Sequence, residues 1–361
     1  MENPRRYHTL HLSDKEVRRY RPSTWPSSAT PTELGGAPHT YGLRPRGSYI
    51  VDLDDDRIIP FEVSSPSDIL DVTIDGIPIS EYIGDPLEER FAYTVIASAA
   101  SPGGLHMRKK RGSAKGKYVV LPSVTENIDI VYGRLALSVY GIAVPHPSPR
   151  TIVRTNIVLL NAEQARLLDA SEFKHGNYRI ARYEMRDAKG VCTYLLEPDG
   201  RFSSRIRTLA YEGISSGLEI GKDTYLALTV QATHRKVRII EATMDHYFSE
   251  VFHLAKLDEK PITVDDTTFA PDCGNRLFLE LREIYEQPEM RSTCRAIVDE
   301  INTRLAPHFS KQTLRTIGVE TVLDPYMIGS DGRIAFDDVT AVIREYDPET
   351  VYADFRLSES L

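Results

Sequence analysis

Between about residues 88 and 255 the chain is a succession of short β-rich segments, and this limits the possible folds more than any other feature. "RFAYTVIAS", "KYVVLPSV", "DIVYGRLALSV", "RTIVRTNIVLL", "NYRIARYEM", "VCTYLLEP" and "TYLALTVQA" are each rich in β-branched or aromatic residues. Such residues suit a pleated, half-buried surface, and strands need one another's backbone groups. The succession therefore predicts a mixed sheet or small barrel with peripheral helices. "NAEQARLLDASE" interrupts it with helical character, with Asn161 as its N-cap. A second helix is expected over roughly 236 to 254.

After residue 270 the apolar period becomes helical. In "RSTCRAIVDEINTRL", Cys294, Ile297, Val298, Ile301 and Leu305 fall at i, i+3, i+4, i+7 and i+11, one stripe on one helix. "NRLFLELREIYEQ" adds Leu277, Leu281 and Ile284, and "DDVTAVIREY" adds Val339, Val342, Ile343 and Tyr346. Residues 256–361 thus read as a helical C-terminal subdomain, and the whole chain as α+β. Ahead of the sheet region, residues 48–87 form a β-rich lead-in, where "ILDVTIDGIPISEYI" reads as a hairpin turning at Asp75-Gly76. Residues 1–47, rich in Arg, Pro, Ser, Thr and Gly, cannot bury much apolar surface alone. They read as a flexible or wrapped arm, anchored by the single tryptophan, Trp25.

A net charge of −8 argues against a protein built mainly to hold nucleic acid. "RKKRGSAKGK" (108–117) gathers six cations but has no interleaved aromatics for base stacking, so it reads as a solvated loop. Cys192, Cys273 and Cys294 have neither metal-type spacing nor an even disulfide framework. They fit a reducing, cytoplasmic setting. The N-terminus is basic without the apolar core of a signal peptide, and no run approaches the ~18 apolar residues of a membrane helix.

The stretch "VIASAASPGGL" (95–105) follows the strand-like "FAYT" and is mostly Ala, Ser and Gly. So little bulk suits either a backbone approaching a ligand or a tight corner. Four ordered blocks share a wider pattern: "VIASAASP" (95–102), "DIVYGRLALSVYGIAVPHPSP" (129–149), "VLLNAEQARLLDASEFKHGNYRIARY" (158–183) and "YLALTVQATHRKVRIIEATMDHYF" (225–248). Together they resemble the gamma-glutamylcyclotransferase-like family, in particular bacterial members with an "AYGSNASP" loop. The resemblance covers under half of the chain. It implies a mixed β-barrel in which the loop after the first strand offers backbone N–H groups to a small-molecule substrate.

In that family a glutamate takes a proton from the substrate's α-amino group, which then attacks the γ-carbonyl to close 5-oxoproline. The glutamate maps to Glu172. The loop's leading tyrosine maps to Ile96, its glycine to Ala97, its serine to Ser98 and its asparagine to Ala99. Tyr178, on the strand beyond, is placed to orient a substrate. No cofactor is implied. The alternative is a chain that keeps the fold without the chemistry and serves as a binding or assembly module. Any homo-oligomer is expected to form through the N-terminal arm or the C-terminal helices.

Three other motifs bear on function. "GLEIGKDT" (217–224) has three residues between its glycines where a phosphate loop needs four, and Asp223 stands where Ser or Thr should follow the lysine. In "DHYFSEVFH", His246, Glu250 and His253 share one helical face and form an alternative metal set for a hydrolase. "MIGSDGRIAFDD" puts Met327 and Gly329 at the acidic positions of a calcium loop, leaving Asp331 and Asp338 as ligands. A turn into the next helix explains it.

Overall fold

The β-branched runs extend well beyond the individual segments: "KYVVLPSV" and "DIVYGRLALSV" fuse into one strand, and "RTIVRTNIVLL" is the second half of another. The computed structural model describes residues 30–31, 47–63, 66–96, 98–136, 140–173, 178–184, 190–196, 205–213, 216–227, 238–241, 244–323 and 347–360. Trp25 and the helix expected over 337–346 lie outside them. The lead-in holds β1 (Ser48–Asp52), β2 (Arg57–Phe61), β3 (Thr73–Ile74), β4 (Ile77–Pro78) and helix α1 (Ile79–Ile83). Then come β5 (Phe91–Val95), helix α2 (Pro102–Lys110), β6 (Lys117–Leu135), β7 (Gly141–Leu160) and helix α3 (Ala162–Phe173). The strands continue with β8 (Tyr178–Tyr183), β9 (Cys192–Leu195), β10 (Arg205–Ile206), β11 (Thr208–Gly213), β12 (Glu219–Gly221), β13 (Thr224–Ala227) and β14 (Arg238–Glu241). Helices α4 (Met244–Leu254), α5 (Gly274–Glu286) and α6 (Arg291–Leu305) follow, with β15 (Ile262–Val264) and β16 (Thr267–Phe269) between the first two. The described chain closes with β17 (Glu320–Leu323), α7 (Pro348–Val351) and α8 (Leu357–Ser360).

The fold is α+β, built on one mixed sheet in the order β10-β9-β6-β7-β5-β11-β8-β17. β1 pairs with β2 and β6, and β13 pairs with β6, β12 and β14. The β3–β4 hairpin turns at Asp75 and Gly76, both at positive φ (53° and 82°), as expected for such a pair. Within 236–254 the helix occupies only 244–254. The β-branched Ile239 and Ile240 instead join β14, parallel to β13.

One face of the sheet is layered along its strands. Four rows run across it: Ala92 and Thr94 of β5 with Ile96 just beyond; Ile157, Thr155 and Val153 of β7; Ile206 of β10 with Thr208 and Ala210 of β11; and Leu195 and Thr193 of β9 with Val191 just before it. In each, the first residue packs in one apolar cluster and the last in another. Between these clusters lies a chain of buried hydroxyls: Ser123–Thr155 2.8 Å, Thr155–Thr125 2.9 Å, Thr125–Thr193 3.1 Å, Thr193–Thr94 2.8 Å and Thr94–Thr208 2.6 Å. β6 and β7 separate β9 from β5, so on a flat sheet their residues would stand roughly 14 Å apart. Their hydroxyls touch, so the sheet is strongly curled.

The curl does not become the expected closed barrel. Arg205 and Ile206 pair with β9, whereas β11, beginning after Arg207 alone, pairs with β5 and β8. Arg207 alone carries the chain from the β10 edge to β11, between β5 and β8, and no ladder joins β10 to β11. Among the described strands the hydrogen-bonded path stays open.

α4, α5 and α6 pack over the far end of β6, in a cluster containing Tyr132, Leu135, Phe248 and Leu277. Cys294, Ile297, Val298, Ile301 and Leu305 are buried in it, as the stripe predicts. Residues 347–360 return instead to the sheet. Leu357 N donates to Arg90 O (2.8 Å), Arg356 bridges to Phe91, and Tyr352 and Phe355 enter the core beside β5.

Two predictions follow from these cores. Thr94→Val keeps the side-chain volume but removes the partner of Thr208 and one of the two partners of Thr193. It should cost about 1–3 kcal/mol by urea unfolding, and more than Thr208→Val. An equal or smaller cost would show that the hydroxyl chain does not hold the curl.

The second concerns His146 on β7, 1% exposed against the Tyr225 ring at 4.2 Å, with no hydrogen bond at either ring nitrogen. Burial pushes its pKa down to about 4 from the usual 6.5. With the folded value the lower one, the unfolded chain binds the proton first as pH falls. The contribution is therefore complete above pH 6.5 and lost as pH falls toward 4, worth on the order of 3 kcal/mol. His146→Leu should flatten the stability–pH curve across that window, measured by denaturant unfolding at stepped pH.

Candidate functional site

The small-residue stretch becomes a strand end, a tight turn and a helix start. After Val95 comes a 3-10 turn over Ser98–Ala100, then α2. Ser101 caps α2 by accepting from Gly104 N (3.0 Å), and Pro102 occupies the first turn, where no backbone donor is required. Tyr49 donates to Ala100 O (2.7 Å), fixing the turn from the lead-in. Of the mapped loop residues, Ile96 is half-buried against an apolar cluster, and Ala99 is buried (5% exposed) in the core beneath the turn. Ala97 lies outside the described residues, and Ser98 belongs to the turn.

α3 brings the second half of the site. Asn161 Oδ1 accepts from Gln164 N (2.9 Å), and Gln164 Oε1 accepts from Asn161 N (3.3 Å), a reciprocal cap. Asn161 also donates to Asp85 (2.7 Å), which is paired to the buried Arg90 at 2.6 Å. At the other end of α3, Glu172 Oε1 meets Arg108 of α2 at 2.5 Å, and Arg108 donates to Ser171 Oγ at the same distance. Both charged side chains are 13% exposed. Burial alone would lower the Arg108 pKa, but Glu172, followed by the nearby Tyr211 and Tyr178 hydroxyls, holds it above its usual value.

One turn earlier on α3 is Asp169, fully buried. Its carboxylate accepts from Tyr211 (2.6 Å), Tyr352 (3.1 Å) and Tyr93 (3.3 Å). Burial, followed by the Asp169 charge, pushes the Tyr211 hydroxyl well above its ordinary range. Tyr178 is half-buried and sets its ring edge-on to Tyr211 at 6.4 Å. The structure thus unites Glu172 with Arg108, and groups Tyr178 with Tyr211 and Asp169.

Asp169 and Arg108 carry no strong sequence signal. Arg108 is hidden in the basic run, where the structure replaces the expected solvated loop. Arg108, Lys109 and Lys110 form the last turn of α2, where cations complement the helix dipole. Lys109 donates to Leu53 O, Lys115 pairs with Glu163, and Lys117 reaches Tyr82 O (2.9 Å) and the Tyr82 ring. Most of the run's charge is therefore engaged within the chain. Asp169 is recognisable only by lying three residues before Glu172, and its tyrosines come from distant segments.

The other motifs resolve simply. "GLEIGKDT" forms the β12–β13 hairpin, with Asp223 at positive φ (52°) and no helix after it to receive a phosphate. His246 pairs with Glu250 at 3.4 Å, while His253 is exposed and edge-on to Phe252. Among the described residues no three His, Cys, Asp or Glu side chains are grouped to hold a metal. Residues 327–338 lie outside the described residues. No described helix is long and apolar enough to cross a membrane. No family model, no curated protein and no solved structure matches the chain.

The ion pair sets a measurable expectation. Arg108→Met leaves a largely buried carboxylate and Ser171 without their guanidinium, and should cost about 2–4 kcal/mol by urea unfolding. Adding Glu172→Gln should bring the double variant below the sum of the single costs, because the stranded charge is gone.

Proposed function

We propose that this chain is a small-molecule enzyme of the gamma-glutamylcyclotransferase type, acting on a γ-glutamyl or related amide with Glu172 as general base. The observation that carries the proposal is the part-buried Arg108–Glu172 pair on two helices that follow β5 and β7. An α-amino acid group bears one carboxylate and one ammonium, and the pair supplies a partner for each. A guanidinium suits the carboxylate by its forked geometry, and the glutamate suits the ammonium. The curled sheet, with the turn and α2 directly after β5, supports the barrel-like fold that the resemblance implies.

In this reading Arg108 releases Glu172 as it takes the substrate's α-carboxylate. Glu172 accepts a proton from the α-ammonium, and the freed amine attacks the γ-carbonyl carbon. The new C–N bond closes the lactam while the bond to the leaving amine breaks. Of the three ammonium protons, one stays on the lactam nitrogen and two depart with the leaving amine as its ammonium. Water is not consumed. Glu172 relays the protons, which is general acid–base work.

One observation favours the rival reading, a fold retained for binding or assembly. Ala99, at the loop's asparagine position, turns its side chain into the core and offers no polar group.

Glu172→Gln keeps the shape and removes the base. It should lower 5-oxoproline release from a γ-glutamyl amide by ~10²–10⁴, while circular dichroism shows the fold retained. Ala97→Gly with Ala99→Asn restores the family loop and should raise turnover. If the parent and the loop-restored variant are both folded and neither releases 5-oxoproline, the binding reading stands.

A further inference from the structure

Asp169 is a carboxylate placed where a carboxylate is costly, fully buried among Tyr93, Tyr211, Tyr352, Leu168 and Phe173. Three phenol hydroxyls converge on it, and hydrogen bonds to a charged acceptor are among the stronger ones in a protein. The donors come from separate parts of the chain. Tyr93 lies on the strand leading into the small-residue turn, Tyr211 on the neighbouring β11, and Tyr352 in the C-terminal segment.

Position on the helix links this cluster to the site. Asp169 and Glu172 are three residues apart on α3, hence neighbours on its surface. The start of α3 is already pinned by Asn161, through Gln164 and Asp85. Fixing Asp169 pins the helix one turn before Glu172 and sets the rotation of α3 about its axis, which aims Glu172 at Arg108. The Tyr352 ring stands edge-on to both Phe91 (5.8 Å) and Tyr93 (6.0 Å), so the C-terminal segment is packed into this support.

We propose that Asp169 is a positioning residue that acts through Glu172, and that residues 347–360 belong to the same support through Tyr352. The proposal builds on Glu172 as the working carboxylate of the preceding reading, but its geometry can be tested without turnover.

The probe is phenylglyoxal, which modifies arginines, with the Arg108 peptide followed by mass spectrometry. The Glu172 contact shields Arg108, so labelling reports how often the pair opens. Tyr352→Phe keeps the ring and removes only the hydroxyl, and Asp169→Asn keeps the shape and removes the charge. Both should raise the Arg108 labelling rate roughly ten- to a hundredfold, the scale set by losing one hydrogen bond to a charged group. Labelling at Arg282, on α5, should not change. On a γ-glutamyl amide, kcat should fall while KM holds.

Ile297→Val serves as the control, since it weakens the remote helical cluster and should leave Arg108 labelling at the parent rate. Parent-rate labelling in both test variants overturns the proposal, as does an equal rise in Ile297→Val. If Asp169→Asn does not fold, Tyr211→Phe takes its place beside Tyr352→Phe. A parent without 5-oxoproline release defeats the cyclotransferase reading, while the labelling still decides whether Asp169 positions Glu172.

Discussion

Thr94 and Thr193 touch although two strands lie between theirs in the sheet, and the rest of the architecture follows from that contact. A sheet flat enough to keep them apart would lose both apolar layers at once, because each layer is completed only when β9 and β11 face β7 across the curl. The hydroxyls also impose a register. Sliding one strand by one residue would place an apolar side chain in the polar layer and a threonine among aliphatics. Specificity here comes from a thin polar layer sandwiched in grease, where an unmatched hydroxyl is more expensive than a missing contact.

α3 concentrates the remaining polar burial. Its first turn is tied to the lead-in through Asp85 and Arg90, its middle to three strands and segments through Asp169, and its last turn to α2 through Arg108. Each tie involves a charge withdrawn from water, tolerable only with partners in place. A helix needed only to cover a sheet could do so with leucines. The buried charges make its axial rotation and its end-to-end placement definite, which an apolar face alone specifies poorly.

The sequence made the class and much of the local structure legible. Alternating β-branched residues announced the strands, Asn161 its cap, Asp75-Gly76 its turn and Ile297 with Ile301 a buried stripe, because each depends on neighbours within a few residues. The open curl was not legible. It rests on Thr94, Thr193 and Thr208, individually unremarkable strand threonines until strands distant in the chain are brought together. The helix start at 244 was misplaced because Ile239 and Ile240 suit a helix face and a strand alike, and only pairing with β13 decides between them. In the candidate site Glu172 is singled out only by the resemblance. Arg108 was masked by the cations around it, and Asp169 by the absence of any local mark of its tyrosines.

The return of residues 347–360 to β5 has a consequence for biosynthesis. Tyr352, Phe355 and Leu357 fill places in the two cores to which Phe91 and Ala92 contribute, and Tyr352 stands edge-on to Phe91. While the polypeptide is being made, the core around Phe91 and Tyr93 must wait, greasy and unfinished, for a segment still to be translated. Such late, long-range closure is slow and leaves an adhesive surface exposed in the interval.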